Sequence, residues 1–169
     1  LEINLQLNKI ENITPHNIFA NNSSEKVEFL MSTVNSGGSK RKPKISHFLY
    51  DYDDPEIIEL DSHQLDDYLS EHHFDLVLLD IEGSEYYAMK GMKEILSHCK
   101  TLVVEFLPHH LKNVAGVDVD TFISALPQHF TKFQLPDQNQ EHNISELKTV
   151  LQKMYDSNVG EDGIIFTSN

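Results

Sequence analysis

The sequence predicts an α/β fold, wound from residue 74 onward as alternating strands and helices. Three observations carry this. Leu76 to Leu79 and Ile81 form an apolar run broken by one carboxylate, Asp80, and closed by Gly83, which suits a short strand buried on both faces. Met89, Met92, Ile95, Leu96 and Cys99 follow at three- and four-residue steps, the spacing of an amphipathic helix. Residues 101–107 are a second apolar run, again ending near a carboxylate, Glu105. Helix over 119–126, strand over 130–135, helix over 144–155 and strand over 163–167 extend a doubly wound pattern.

Ahead of residue 74 the reading is less regular. Leu1, Ile3, Leu5 and Leu7 alternate with polar residues, yet Leu, Gln, Glu and Lys favour helix, so both states stay open. Pro15 breaks that pattern, residues 17–20 read as a short strand end, and Asn21-Asn22-Ser23-Ser24 reads as a turn. Val27, Phe29 and Met31 alternate as a half-exposed strand, and 46–52 and 56–60 read as two more around an Asp53-Asp54-Pro55 turn. The stretch 27–60 is thus expected to be a β-hairpin insertion. Asp61 or Ser62 can cap a short helix over 64–71.

The clearest loop is 35–44, which holds Lys40, Arg41, Lys42 and Lys44, four of the thirteen basic residues. Its Ser36-Gly37-Gly38-Ser39 core could turn backbone N–H groups toward an anion, or simply form a mobile hairpin tip. No phosphate-loop spacing accompanies it.

The chain's 169 residues, 39% hydrophobic and 24% charged, suffice for one globular domain with its own core. With 27 acidic against 13 basic side chains the net charge is −14. Such a surface repels phosphate backbones and anionic lipid, so neither nucleic acid nor membrane is an expected partner, whereas a cationic ligand is tolerated. No apolar run approaches the roughly 20 residues that span a bilayer. The single cysteine, Cys99, excludes an intrachain disulfide and sits on the apolar helical face as a packing residue. With no basic-then-apolar leader at the start, a cytoplasmic protein is expected.

A carboxylate at the end of a buried parallel strand is costly unless paired or used, and that edge is where open α/β sheets hold ligands. Asp80, Glu82, Glu85 and Glu105 gather there. Adjacent strands lie about 4.8 Å apart, so Asp80 and Glu105 should be neighbours. These groups can orient a hydroxyl, act as a general base or hold a cation. Glu85 is read mainly as favouring the N-terminus of the next helix. Among ten histidines, His72-His73 and His109-His110 are adjacent pairs that diverge, and no His-Glu-x-x-His or Cys-x-x-Cys occurs, so no metal site is expected. His109 draws interest because it lies just past the Glu105 strand.

Asp80-Ile81-Glu82-Gly83-Ser84-Glu85, followed by Met89-Lys90-Gly91, resembles the DxEGxE…LkG signature of the FkbM family of S-adenosylmethionine-dependent methyltransferases. Val103-Val104-Glu105 resembles the family's next strand, Ser36-Gly37-Gly38-Ser39 its Gly-rich substrate loop, and Leu65 to Leu69 its LDDll helix. Asn4 and Asn8 fall where the family has a helix with two asparagines, and residues 17–20 resemble its following strand. The resemblance implies a class I methyltransferase Rossmann-like sheet with strand order 3-2-1-4-5-7-6. It also implies methyl transfer from S-adenosylmethionine to a hydroxyl of a sugar, polyketide or similar small-molecule or glycan acceptor. By position, Asp80 becomes the signature acid beside the methyl-transfer centre, with Glu82, Glu105 and His109 as further catalytic candidates. Ala20 and Asn21 match the loop against the adenine.

One departure stands out. The family's Gly-rich loop after strand 1 and the acid ending strand 2, which hold the cofactor, have no match here. The sheet is therefore expected to lack its first two strands, which leaves the signature strand with an unpaired edge. Leu1 opens inside an amphipathic pattern, as in a piece of a longer protein. Alternatively the chain repairs its sheet by pairing as a homodimer. On either account the 169 residues alone are expected to bind the cofactor poorly. A non-catalytic methyltransferase-like scaffold is the competing reading. A receiver domain phosphorylated at Asp80 is another, but it fits poorly, because the next strand ends in Glu105 rather than Ser or Thr.

Overall fold

Two sheets divide the chain, and their meeting point places the candidate site. The computed structural model describes residues 1–168. The first sheet holds β1 (Phe19–Ala20), β2 (Lys26–Met31), β3 (Lys40–Arg41) and β4 (Glu56–His63) in the order β1-β4-β2-β3. β4 pairs parallel to β1 and antiparallel to β2, so 26–63 is a hairpin with β3 added at its far edge.

The second sheet holds β5 (Leu76–Leu79), β6 (Thr101–Phe106), β7 (Lys132–Leu135), β8 (Gln140–Asn143) and β9 (Glu161–Thr167), ordered β5-β6-β9-β7-β8. β5 and β6 are parallel, and the remaining pairs are antiparallel. Leu102, Val104 and Phe106 of β6 share their buried face with Phe133, Ile164 and Phe166. Against that face pack α4 (Glu85–Lys90), α5 (Lys93–His98), α7 (Val119–Ile123) and α8 (Leu147–Ser157), through Met89, Leu96, Phe122 and Leu151 among others.

The opposite face is open. Leu76 and Leu78 are 55% and 63% exposed, and their register partners continue a half-buried row through Val103 and Ile165. A strand buried on both faces and a doubly wound sheet are therefore corrected, for residues 1–168, to a sheet covered on one face. Period-2 burial along β6 is what one covered face produces.

Other expectations shift locally. The open choice at the start resolves as helix α1 (Glu2–Leu7), which buries no side chain. Residues 46–52 are not a strand: α2 (Phe48–Asp51) forms there, with the His47 ring accepting the Leu49 N–H, and only Tyr50 turns inward. β4 runs through Asp61 and Ser62, so neither caps a helix, and α3 (Leu65–Tyr68) is a single turn. The helix expected through 89–99 breaks between α4 and α5 at Gly91 and Met92. The 108–110 loop is α6 (Pro108–His110), started by a proline at its first position and continued through 111–115 by wider π-type turns. β8 carries Gln-Glu-His-Asn, with no apolar alternation to announce it. No helix among the described residues is long and apolar enough to cross a membrane.

Candidate active site

The site grows from the turn after β5. Leu79 pairs with Val104, so one step further Asp80 comes beside Glu105, as the parallel register requires. The chain then turns through Glu82 (φ 55°) and Gly83 (φ 93°), two consecutive left-handed residues. Glutamate is uncommon in that region, and its presence marks a backbone held by its surroundings. At Gly83 a Cβ would lie 2.7 Å from the Val114 Cβ, so only glycine fits beneath the 111–115 turns. Glu85, 5% exposed, turns its side chain back: Oε1 accepts the N–H groups of Ile81 at 2.9 Å and Gly83 at 3.2 Å. Burial pushes its carboxyl up to about 7.

Two cavities meet at this turn. The larger, about 800 Å³, lies between the first sheet and the β5 tip. Phe19, Ala20, Phe29, Ile58 and Leu60 wall one side, and Asp80, Glu82 and Ser84 face them. The smaller, about 350 Å³, is bordered by Lys40, Tyr50, Asp53, Leu107, His109 and His110. Glu82 lines both.

Around Glu82 the charges are interlocked. Lys40 Nζ donates to its Oε2 at 3.3 Å, and His110 Nε2 lies 3.6 Å from the same oxygen. The other His110 nitrogen, Nδ1, lies 3.7 Å from Glu105 Oε2. Burial first, then the charges of Asp80, Glu82 and Asp162, push Glu105 up to about 7, with Lys40 opposing. Burial, reinforced by Lys40, lowers His110 to about 4. Burial also lowers His109, with His110 and Lys40 adding to it. Among the described residues, no three His, Cys, Asp or Glu side chains converge as a metal site.

The structure brings Asp80, Glu82, Glu105 and His109 to one region, with Ala20, Gly37 and Ser39 on the larger cavity and Gly38 on the smaller. Ser36 lines neither. Asn21 is fully buried away from both: its amide donates to Ser62 Oγ at 3.1 Å and its Oδ1 accepts from Arg41 at 2.6 Å. The glycine pair presents no anion nest, because Asn35 takes both amides, Gly37 N–H through its side chain and Gly38 N–H through its carbonyl. Of the basic loop, Lys40 and Arg41 are turned inward, while Lys42 and Lys44 stay exposed. Lys40 holds Glu82, Lys42 holds Glu28, and the Arg41 guanidinium stacks 4.2 Å over the Tyr87 ring.

His110, Lys40 and Tyr50 belong to the site and were not legible as such. An adjacent histidine pair shows that one ring faces away from the other, without telling which faces the carboxylates. Lys40 gives no signal beyond its membership of a basic cluster.

A family model described as the methyltransferase FkbM domain matches residues 2–148. The chain belongs to the FkbM methyltransferase family. No curated protein and no solved structure matches it. Within this FkbM chain, two motif residues remote from the cavities have mechanical roles. Gly91 meets the Asn21 carbonyl so closely that a Cβ would sit 1.8 Å from the oxygen. Asp66 caps α5 from outside, its two carboxylate oxygens accepting Glu94 N–H at 2.9 Å and Ile95 N–H at 3.1 Å.

Proposed function

We propose that this chain carries the acceptor side of an S-adenosylmethionine-dependent O-methyltransferase that acts on a hydroxyl of a small molecule or glycan. The observation that carries it is the junction at Glu82, where an apolar-walled cavity and a smaller polar one meet over a cluster of strand-end carboxylates. The residues present fit one side of the cofactor. Phe19, Phe29, Ile58 and Leu60 offer a wall to a planar base, and Asp80 and Glu82 offer negative charge to a sulfonium. Ser84 Oγ, buried at the cavity and without a hydrogen-bond partner among the described residues, has capacity for a ligand hydroxyl. When bound, the cofactor supplies an electrophilic methyl group on a cationic sulfur.

The chain's own residues do the rest. Asp80, exposed at the β5 tip, favours positive charge in the larger cavity. Lys40 fixes Glu82 at the junction while its Oε1 makes no hydrogen bond to any described residue. His109, neutral because it is half-buried, can accept a hydrogen bond in the smaller cavity.

The strand order supports the finer fold reading. β5-β6-β9-β7 follows the 4-5-7-6 half of the class I sheet, and β1 and β5 are the free facing edges of the two sheets. Two strands between them would restore 3-2-1-4 and bring the cofactor loop.

Calorimetric titration with S-adenosylhomocysteine tests this. A chain carrying the two further strands is expected to bind one equivalent, and the 169-residue chain to bind none measurably. Binding by the short chain overturns the strand reading; no binding by either overturns the cofactor. In the complete protein, Asp80→Asn is expected to slow methyl transfer by about a hundredfold or more, as lost electrostatic contacts do, with an unchanged circular dichroism spectrum. Retained turnover removes Asp80 from the mechanism.

A further inference from the structure

We propose that Glu82, His110 and Glu105 form a buried relay that carries the acceptor hydroxyl's proton away from the junction of the two cavities. The inference rests on the methyltransferase reading for its purpose, though not for its geometry. His110 is 5% exposed, and its two ring nitrogens face two carboxylates: Nε2 at 3.6 Å from Glu82 Oε2, Nδ1 at 3.7 Å from Glu105 Oε2. Both gaps exceed a hydrogen bond and are too short for an intervening water. Catalytic contacts are often this loose before a substrate arrives and tighten when it binds.

A histidine kept only for packing would satisfy its polar atoms locally. This one does not. Among the described residues, His110 Nδ1 and Glu105 Oε2 are both buried without a hydrogen-bond partner, and they face each other. Buried polar atoms are normally paired, and such exceptions call for an explanation. Tyr50 steadies the segment that carries the ring: its hydroxyl donates to the His109 carbonyl at 3.1 Å, and the two rings lie 6.0 Å apart.

The electrostatics suit a relay. Lys40 Nζ shares Glu82 Oε2 with His110 Nε2, so a cation that disfavours a charged ring sits beside the carboxylate that favours one, and Glu105 faces the other ring nitrogen. Burial keeps the ring neutral above about 4, so one nitrogen carries a proton and the other a lone pair. Glu105, surrounded by Asp80, Glu82, Glu85 and Asp162 with Lys40 opposing, holds a proton up to about pH 7. It is a proton store poised near neutrality.

The step balances. As the acceptor oxygen bonds to the methyl carbon of a methylsulfonium donor, the C–S bond breaks and its electron pair stays on sulfur. The hydroxyl proton passes to the Glu82 carboxylate, His110 accepts it at Nε2 and releases its Nδ1 proton, and Glu105 receives that proton in its carboxylate form, which is populated from about pH 7 upward. Glu82 is then the catalytic residue; His110 and Glu105 act through it as positioning residues.

The test uses the ¹³C,¹⁵N-labelled protein without ligand, recording two-bond ¹H–¹⁵N imidazole correlations from pH 5.5 to 8.5. His110, assigned through its own Cβ, is expected to stay neutral throughout, while its nitrogen shifts inflect near pH 7 as Glu105 ionises. Glu105→Gln should abolish that inflection and leave the ring neutral. Glu82→Gln should change the tautomer ratio. An ordinary titration with a midpoint of about 6.5, or an inflection that survives Glu105→Gln, overturns the relay. If Glu105→Gln fails to fold, the unaltered protein decides by itself, because a flat His110 profile near pH 7 is an equal refutation. None of these readouts needs a methyl donor, so failed S-adenosylhomocysteine binding refutes the methyltransferase reading separately.

Discussion

Glu85 holds two backbone N–H groups with one buried oxygen, and so fixes the left-handed turn that aims Glu82 at the junction. Its carboxyl pays for that position in desolvation. Raised from 4.5 to about 7, it binds a proton in the folded chain that the unfolded chain has already lost between those values. A raised carboxyl therefore contributes stability that is fully present below about 4.5 and is lost as pH climbs through about 7. Glu105 acts in the same direction, and His110, lowered to about 4, acts in the opposite one. The net curve mixes all three, so the isolated comparison is the informative one. Glu85→Gln keeps the accepting oxygen and removes the titration. Relative to this variant, the unaltered chain is expected to lose on the order of 3 kcal/mol between pH 4.5 and 8. Urea unfolding of both proteins at each pH measures the difference; parallel curves would show that Glu85 carries no shifted titration.

At the scale of elements, the signature is a set of joints. Gly91 ends α4 where the Asn21 carbonyl closes on it, and Asp66 reaches from α3 to cap α5. Gly91→Ala forces backbone against backbone and is expected to cost about 1–3 kcal/mol, at the level of an overpacked core. Asp66→Ala removes two capping bonds and is expected to cost about 1–2 kcal/mol. Chemical denaturation checks both, and an Asp66→Asn variant should recover part of the loss. These joints explain how much was legible. The β6 run, the carboxylates at the strand ends and the helix ending in α8 could be read because apolar period and charge placement report burial there, whereas β5 was read as a strand but not as one with Leu76 and Leu78 exposed. α2 was read as a strand because Phe48, Leu49 and Tyr50 look apolar, while only Tyr50 is buried. His110 and the inward-turned Arg41 stayed hidden because each also meets a residue far along the chain, His110 at Glu82 and Arg41 at Tyr87. Local pattern holds no record of such pairings.

Across the whole molecule, the second sheet has a free edge at β5 and an open face next to it. Leu76 and Leu78 stand on that face, and β5 pairs only with β6 among the described residues. A free parallel edge beside exposed leucines is a template for another strand. The first sheet likewise ends at β1, so the molecule presents two strand edges. If no further strands pair with these edges, a second copy can, and the 169-residue chain is expected to self-associate. Its net charge of −14 opposes this, so raising the salt concentration should strengthen the association by screening. Sedimentation velocity over a concentration series measures it. Leu78→Lys places a charge on the open face, where edge strands commonly carry lysine, and is expected to return the chain to monomer. A chain that carries the two restoring strands should be monomeric at this edge with Leu78 intact, since the same hydrogen bonds are then made internally. Monomeric behaviour of the short chain at high salt would show that the β5 edge is already protected.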